Sequence, residues 1–158
     1  MPTVEVKVET DIAAPAEKVI GALGDYTGVR EKINPVAIKD FEVVEGGTGA
    51  GTRYTARLVA RRERDLDMTA TAPTPLTLEE TDANSSLQTT YTVTERGAGA
   101  SHVTIRTTWS GATGFSGLME RTFAPIGLKP IYQEMLERLS FAVVHGIKPR
   151  RPPPPGVS

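Results

Sequence analysis

The chain contains no cysteine. That excludes disulfide staples, thiolate nucleophiles and cysteine-based metal sites, and it suits a reducing compartment. Only two histidines are present, His102 and His145, and neither has a second ligand at metal-binding spacing. Charge of one sign is also missing: 18 basic against 19 acidic side chains leave a net −1. No global field therefore draws the chain to nucleic acid or to an anionic membrane. No apolar run approaches the roughly 18 residues of a membrane span, and the N-terminus lacks a basic-then-apolar leader pattern. The expectation is a cytoplasmic protein with no integral membrane association.

What the sequence has in abundance is period-two alternation. Val4, Val6 and Val8 alternate with Glu5, Lys7 and Glu9 over about Thr3–Thr10, as in a half-buried strand. Pro15 then opens a helix at a position where a missing N–H is tolerated, and Gly24-Asp25 closes it. A second short helix is expected over Tyr26–Ile33, stopped by Asn34-Pro35. Strands follow at Phe41–Glu45, at Thr52–Ala60 with Tyr54, Ala56 and Leu58 inward, and beyond a charged tip at Arg61–Asp65, with Leu66, Met68 and Ala70 inward. Pro73 and Pro75 are expected to interrupt the chain before Leu76–Leu78. Asp82-Ala83-Asn84-Ser85 is turn chemistry. Leu87, Thr89, Tyr91 and Val93, then Val103, Ile105, Thr107 and Trp109, complete an antiparallel meander.

From about Gly114 to Val144 the period becomes helical, with Pro125 and Pro130 expected to bend or break the run. Residues 1–147 read as a single domain. At 158 residues the chain is long enough to bury roughly two-thirds of its unfolded surface. Residues 148–158, with Arg150-Arg151 before four prolines, read as a disordered proline-rich tail.

Three stretches resemble a known family: the strand followed by Ile12-Ala13-Ala14-Pro15-Ala16-Glu17-Lys18-Val19, the passage Gly49-Ala50-Gly51-Thr52-Arg53-Tyr54, and Trp109–Gly117 leading into a long last helix. They are similar to the START-like, or SRPBCC, superfamily of polyketide cyclases/dehydrases and lipid-transport proteins. The resemblance implies an α+β helix-grip fold: a curved seven-stranded antiparallel sheet around a long C-terminal helix, with two short helices after the first strand. It also implies an apolar cavity for lipids, polyketides or quinone-like molecules.

The candidate ligand-binding side chains are the large inward ones: Tyr54, Leu58, Met68, Tyr91, Trp109, Phe115, Met119, Phe123 and Tyr132. Tyrosine and tryptophan carry polar tips that a dry, solid interior must satisfy, and methionine adapts to irregular shapes. Arg53 and Arg57 fall on the opposite face and are expected in solvent. His102 also alternates outward. The glycine run Gly46–Gly51 leads into a strand without a following Lys-Ser/Thr, so no nucleotide role follows. It is expected instead to be a mobile loop over the cavity mouth.

The expected function is carriage or sensing of a hydrophobic small molecule, with no cofactor and no metal. The alternative is a cyclase or aromatase working in the same cavity. The feature that separates the two is an inward, mutually bonded acid/base set, and the sequence displays none clearly. A docking role for the proline-rich tail is the third class. Oligomeric state is not legible.

Overall fold

The computed structural model describes residues 3–59, 63–110 and 125–146. Phe115, Met119 and Phe123, the segment Gly114–Gly117, the tip residues Arg61 and Arg62, and the tail from Lys148 onward lie outside the described residues.

In chain order the elements are β1 (Thr3–Ile12), α1 (Ala16–Leu23), α2 (Val29–Ile33), β2 (Ile38–Glu45), β3 (Arg53–Val59), β4 (Glu63–Thr74), β5 (Thr77–Asp82), β6 (Gln88–Glu95), β7 (Ser101–Ser110) and α3 (Pro125–His145). The strands form one seven-stranded antiparallel sheet in the order β1-β7-β6-β5-β4-β3-β2. After the two short helices, every step in this order is a hairpin except the closure of β1 against β7. That pair sets Val4 opposite Trp109, Val6 opposite Thr107 and Val8 opposite Ile105.

The period-two pattern decides which face of the sheet is buried. On β3, Tyr54, Ala56 and Leu58 are buried while Arg53, Thr55 and Arg57 are part-exposed. Leu66, Met68 and Ala70 continue the inner face on β4. The long helix α3 answers with Leu128, Met135, Leu136, Leu139, Ala142 and Val143, the three- and four-residue spacing of one helical stripe. Pro130 lies within α3 without ending it. Sitting close to the N-terminus, it removes only an early intrahelical bond.

Two expectations are corrected. Pro73 does not interrupt the sheet. β4 runs on to Thr74, and a register shift between Thr71 and Thr74 absorbs the proline, as ladders do at a bulge. Nor is the glycine loop a free flap. Gly49 N–H donates to Gly24 O at 2.8 Å, Gly51 N–H to Ala70 O at 2.9 Å, and Tyr26 N–H to Gly47 O at 3.0 Å. These bonds pin the loop to the α1–α2 junction and to β4. At Gly46 the backbone has φ 69°, and a Cβ would approach Thr52 Cα to 2.9 Å, so this turn excludes a side chain.

Candidate functional site

The interior between the sheet and α3 is neither solid nor wholly apolar. A cavity of about 40 Å³ is walled by Ile38, Leu58, Leu66, Met68, Leu87, Ile131 and Met135, with Arg30, Asn34, Tyr54, Glu80, Thr89, Tyr91 and Tyr132 supplying the polar groups. At roughly 10–15 Å³ per water, this holds a few water molecules. A larger guest requires the leucine and methionine side chains to repack.

One end of the cavity is a charged cluster. Arg30 comes from α2 and Glu80 from β5, and their side chains are 2% and 1% exposed. The guanidinium Nη2 donates to Glu80 Oε1 at 2.9 Å and lies 2.8 Å from Oε2. Nη1 donates to the Leu23 carbonyl at the end of α1, at 3.0 Å. Three phenols complete the shell. Tyr26 donates to Glu80 Oε2 at 2.6 Å and Tyr54 to Oε1 at 2.7 Å. Tyr91 accepts from Arg30 Nη2 at 2.6 Å and donates to Glu80 Oε1 at 3.3 Å. The guanidinium carbon also lies 4.6 Å from the Tyr91 ring centroid and 5.1 Å from that of Tyr26, within cation–π range.

Local sequence explains how the cluster assembles. Asp25 receives the Arg30 and Val29 amides, through its carbonyl at 2.8 Å and its Oδ2 at 3.2 Å, which starts α2 one turn after α1. Tyr26, Arg30 and Ile33 then share one inward side at i, i+4 and i+7. On β5, Leu78, Glu80 and Asp82 alternate inward together. Ala70 on β4 stands directly opposite Glu80 with only a methyl to interpose, so Tyr54 can reach across from β3. Asp82 serves the turn instead, accepting the Asp67 and Asn84 amides and the Ser85 hydroxyl.

The electrostatics are mutual. Burial raises the phenols of Tyr54 and Tyr91 well above the usual tyrosine range, and burial with the nearby Glu80 charge does the same for Tyr26. Burial alone pulls the Arg30 guanidinium down. Glu80 first, and then the tyrosine oxygens, outweigh it and hold the group firmly charged. The outcome is one guanidinium and one carboxylate wrapped in neutral phenols.

A second polar line joins α3 to the sheet. The hydroxyls of Thr89 and Thr107, opposite each other on β6 and β7, lie 2.8 Å apart. Thr107 also donates to Tyr132 on α3 at 2.8 Å.

Of the sequence-nominated side chains, Tyr54, Leu58, Met68, Tyr91 and Tyr132 line the cavity, while Trp109 is buried in the core outside this lining. Phe115, Met119 and Phe123 lie outside the described residues. Arg53 and Arg57 face away from the cavity. Arg53 pairs with Asp67 at 2.8 Å, and Arg57 with Asp40 and Glu63, each at 3.2 Å. Arg30, Glu80 and Asn34 were not nominated. Among the described residues no group of three or more histidines and carboxylates could hold a metal ion. No helix there is long and apolar enough to cross a membrane.

Residues 3–143 match the family model described as polyketide cyclase / dehydrase and lipid transport. Among solved structures, the KanY protein, determined by NMR in solution, is 41% identical, with a TM-score of 0.80 over 90% of this chain and 99% of that one. A protein from Thermus thermophilus is 19% identical, with a TM-score of 0.73 over 91% and 99% of the two chains. Norcoclaurine synthase from Thalictrum flavum, solved with dopamine and hydroxybenzaldehyde, is 15% identical, with a TM-score of 0.68 over 94% and 90%. A comparison with curated proteins found no match.

Proposed function

This chain belongs to the polyketide cyclase/dehydrase and lipid transport family, and from that premise we propose that it binds a hydrophobic small molecule between the sheet and α3. The observation that carries the reading is the Arg30–Glu80 pair at one end of a cavity whose remaining walls are largely leucine, isoleucine and methionine. A buried ion pair contributes little stability over well-packed apolar side chains, because desolvation offsets most of the attraction. Few convergent polar groups among apolar walls are what a ligand site needs to fix orientation while burial supplies affinity. Each Å² of apolar ligand surface buried contributes roughly 25 cal/mol before the costs of binding.

Catalysis in the same cavity is the second reading, because the inward bonded set that separates the two is present. The occupancy of its atoms favours binding. Glu80 already accepts from Arg30, Tyr26, Tyr54 and Tyr91, which leaves no free oxygen position for a substrate proton. The raised phenols are likewise reluctant acids. Orientation, and not proton transfer, is the chemistry this cluster performs best.

Native mass spectrometry of the freshly purified protein tests the proposal alongside Leu58→Trp, which fills the cavity from β3. The expected result is a small-molecule adduct on the wild type that is lost in the variant. An adduct retained equally by both would place the ligand elsewhere and overturn the reading.

A further inference from the structure

Two donors in the cavity lining are buried without a hydrogen-bond partner among the described residues: Arg30 Nε and Asn34 Nδ2. Neither residue is adrift. The Arg30 side chain is 2% exposed, with Nη1 bonded to the Leu23 carbonyl and Nη2 to Glu80 and Tyr91. The Asn34 carbonyl accepts from Arg138 Nη1 of α3 at 2.9 Å, which fixes the backbone carrying its side chain. A buried donor left unpaired is costly, and two in the lining of one small cavity mark a place where an acceptor belongs. Glu80 cannot fill it, because its oxygens are spent on the phenols and on Nη2.

Building on the ligand-binding reading, we propose that Arg30 Nε and Asn34 Nδ2 form the polar anchor of the site, and that its ligand presents an acceptor-only oxygen to them: a ketone or other carbonyl attached to an apolar body. Charge sets this class. Arg30 is already neutralised by Glu80, so a ligand carboxylate entering beside it would bring an unpaired buried charge next to an existing one. A ligand hydroxyl would also have to spend its own proton on an acceptor, a demand that a carbonyl does not make. A carbonyl needs two donors and offers nothing that goes unmet. Specificity then follows from what the empty donors reject. An analogue lacking the oxygen leaves both unpaired, and sites of this kind discriminate strongly against it.

The probes are acetophenone and its shape-matched hydrocarbon α-methylstyrene, which differ only in C=O against C=CH₂. Binding is read from the methyl resonances of Leu58, Leu66 and Met68 in the full chain, with acetophenone ¹³C-labelled at its carbonyl. In the wild type the bound carbonyl resonance is expected downfield of its position in apolar solvent, the signature of accepted hydrogen bonds. Asn34→Leu should weaken acetophenone about tenfold, the worth of one hydrogen bond to a buried donor near its upper range, and leave α-methylstyrene unchanged or tighter. Comparing each probe with itself across the variants cancels their different solubilities. If both probes bind and Asn34→Leu changes them by the same factor, or the bound carbonyl resonates as it does in apolar solvent, the anchor is refuted while the cavity stands. If neither probe perturbs the cavity methyls, the ligand-binding reading falls and the anchor with it. The wild-type carbonyl shift needs no variant, so a poorly folded Asn34→Leu does not shield the proposal.

Discussion

Arg30 and Glu80 stand fifty positions apart in sequence, and their side chains meet at 2.8 Å with almost no exposure to water. The pair joins α2 to β5 and so ties the helical entry of the fold to the middle of the sheet. It also commits the interior to charge. Once one partner is buried, the other is obligatory.

A double-mutant cycle should reveal that dependence. Arg30→Met or Glu80→Leu alone is expected to cost roughly 3–5 kcal/mol in urea unfolding, because each leaves an uncompensated buried charge. The combined variant should be less destabilised than either, since apolar groups of similar volume replace the whole pair. Additive losses would show that the two side chains contribute independently.

The four tyrosines of the chain, Tyr26, Tyr54, Tyr91 and Tyr132, are all raised above the usual range, with burial the largest cause in each. In an alkaline titration followed by phenolate absorbance, no tyrosine should ionise near pH 10, where free tyrosine does. The unfolded chain loses those protons first, so the tyrosine contribution to stability is full below about pH 10 and declines above it. Phenolate should therefore appear in one step together with unfolding. A tyrosine that titrates smoothly while the circular dichroism stays native would contradict the buried cluster.

Much of the fold is written in short-range pattern. Alternation places Tyr54, Leu58, Met68 and Tyr91 on the inner face because a strand's side chains have a period of two whatever their partners. Pro73 is misread because propensity alone does not reveal that a register shift can absorb the missing donor. Arg30 and Glu80 had local signals: the spacing of Tyr26, Arg30 and Ile33, and the alternation of Leu78, Glu80 and Asp82. Charged residues almost never sit fully buried unless paired, and the pairing spans fifty residues. A pattern within one element cannot show its partner. The size of the cavity is equally hidden, being a balance of side-chain volumes across several elements.

His102 is the surface counterpart of the buried pair. Its Nδ1 lies 2.7 Å from Asp11 and its Nε2 2.9 Å from Glu9, both on β1 across the β1–β7 pair. Bonds to Asp11 first and Glu9 second raise its pKa, opposed by its desolvation and weakly by Arg96. A raised folded pKa means the contribution is fully present below the ordinary value of about 6.5 and fades as pH rises through the folded value. An NMR titration should place the His102 midpoint above 6.5. His102→Gln should flatten the fall in melting temperature on the alkaline side of that midpoint. A midpoint at or below 6.5 would show that the carboxylates do not hold the proton.

Access to the cavity is expected where the chain leaves α2. Asn34 and Pro35 line the cavity on one side of this seam, and Ile131, Tyr132 and Met135 line it from α3. Two α3 side chains hold the seam together: Glu134 Oε2 accepts the Val36 amide at 2.9 Å, and Arg138 donates to the Asn34 carbonyl at 2.9 Å. Glu134 and Arg138 are themselves 3.3 Å apart, and both are about 40% exposed. Water competes for such bonds, so removing them should cost below about 1 kcal/mol of global stability. Their effect is expected in local opening, which draws on far smaller free energies than global unfolding. Glu134→Ala should accelerate hydrogen exchange at the Val36 amide. Glu134→Ala alone should speed both entry and departure of acetophenone with little change in its equilibrium affinity, because it frees the Val36 amide while the Arg138 bond that positions Asn34 stays in place. A change in affinity without a change in rate would mean that Glu134 shapes the bound site itself, and that the ligand enters elsewhere.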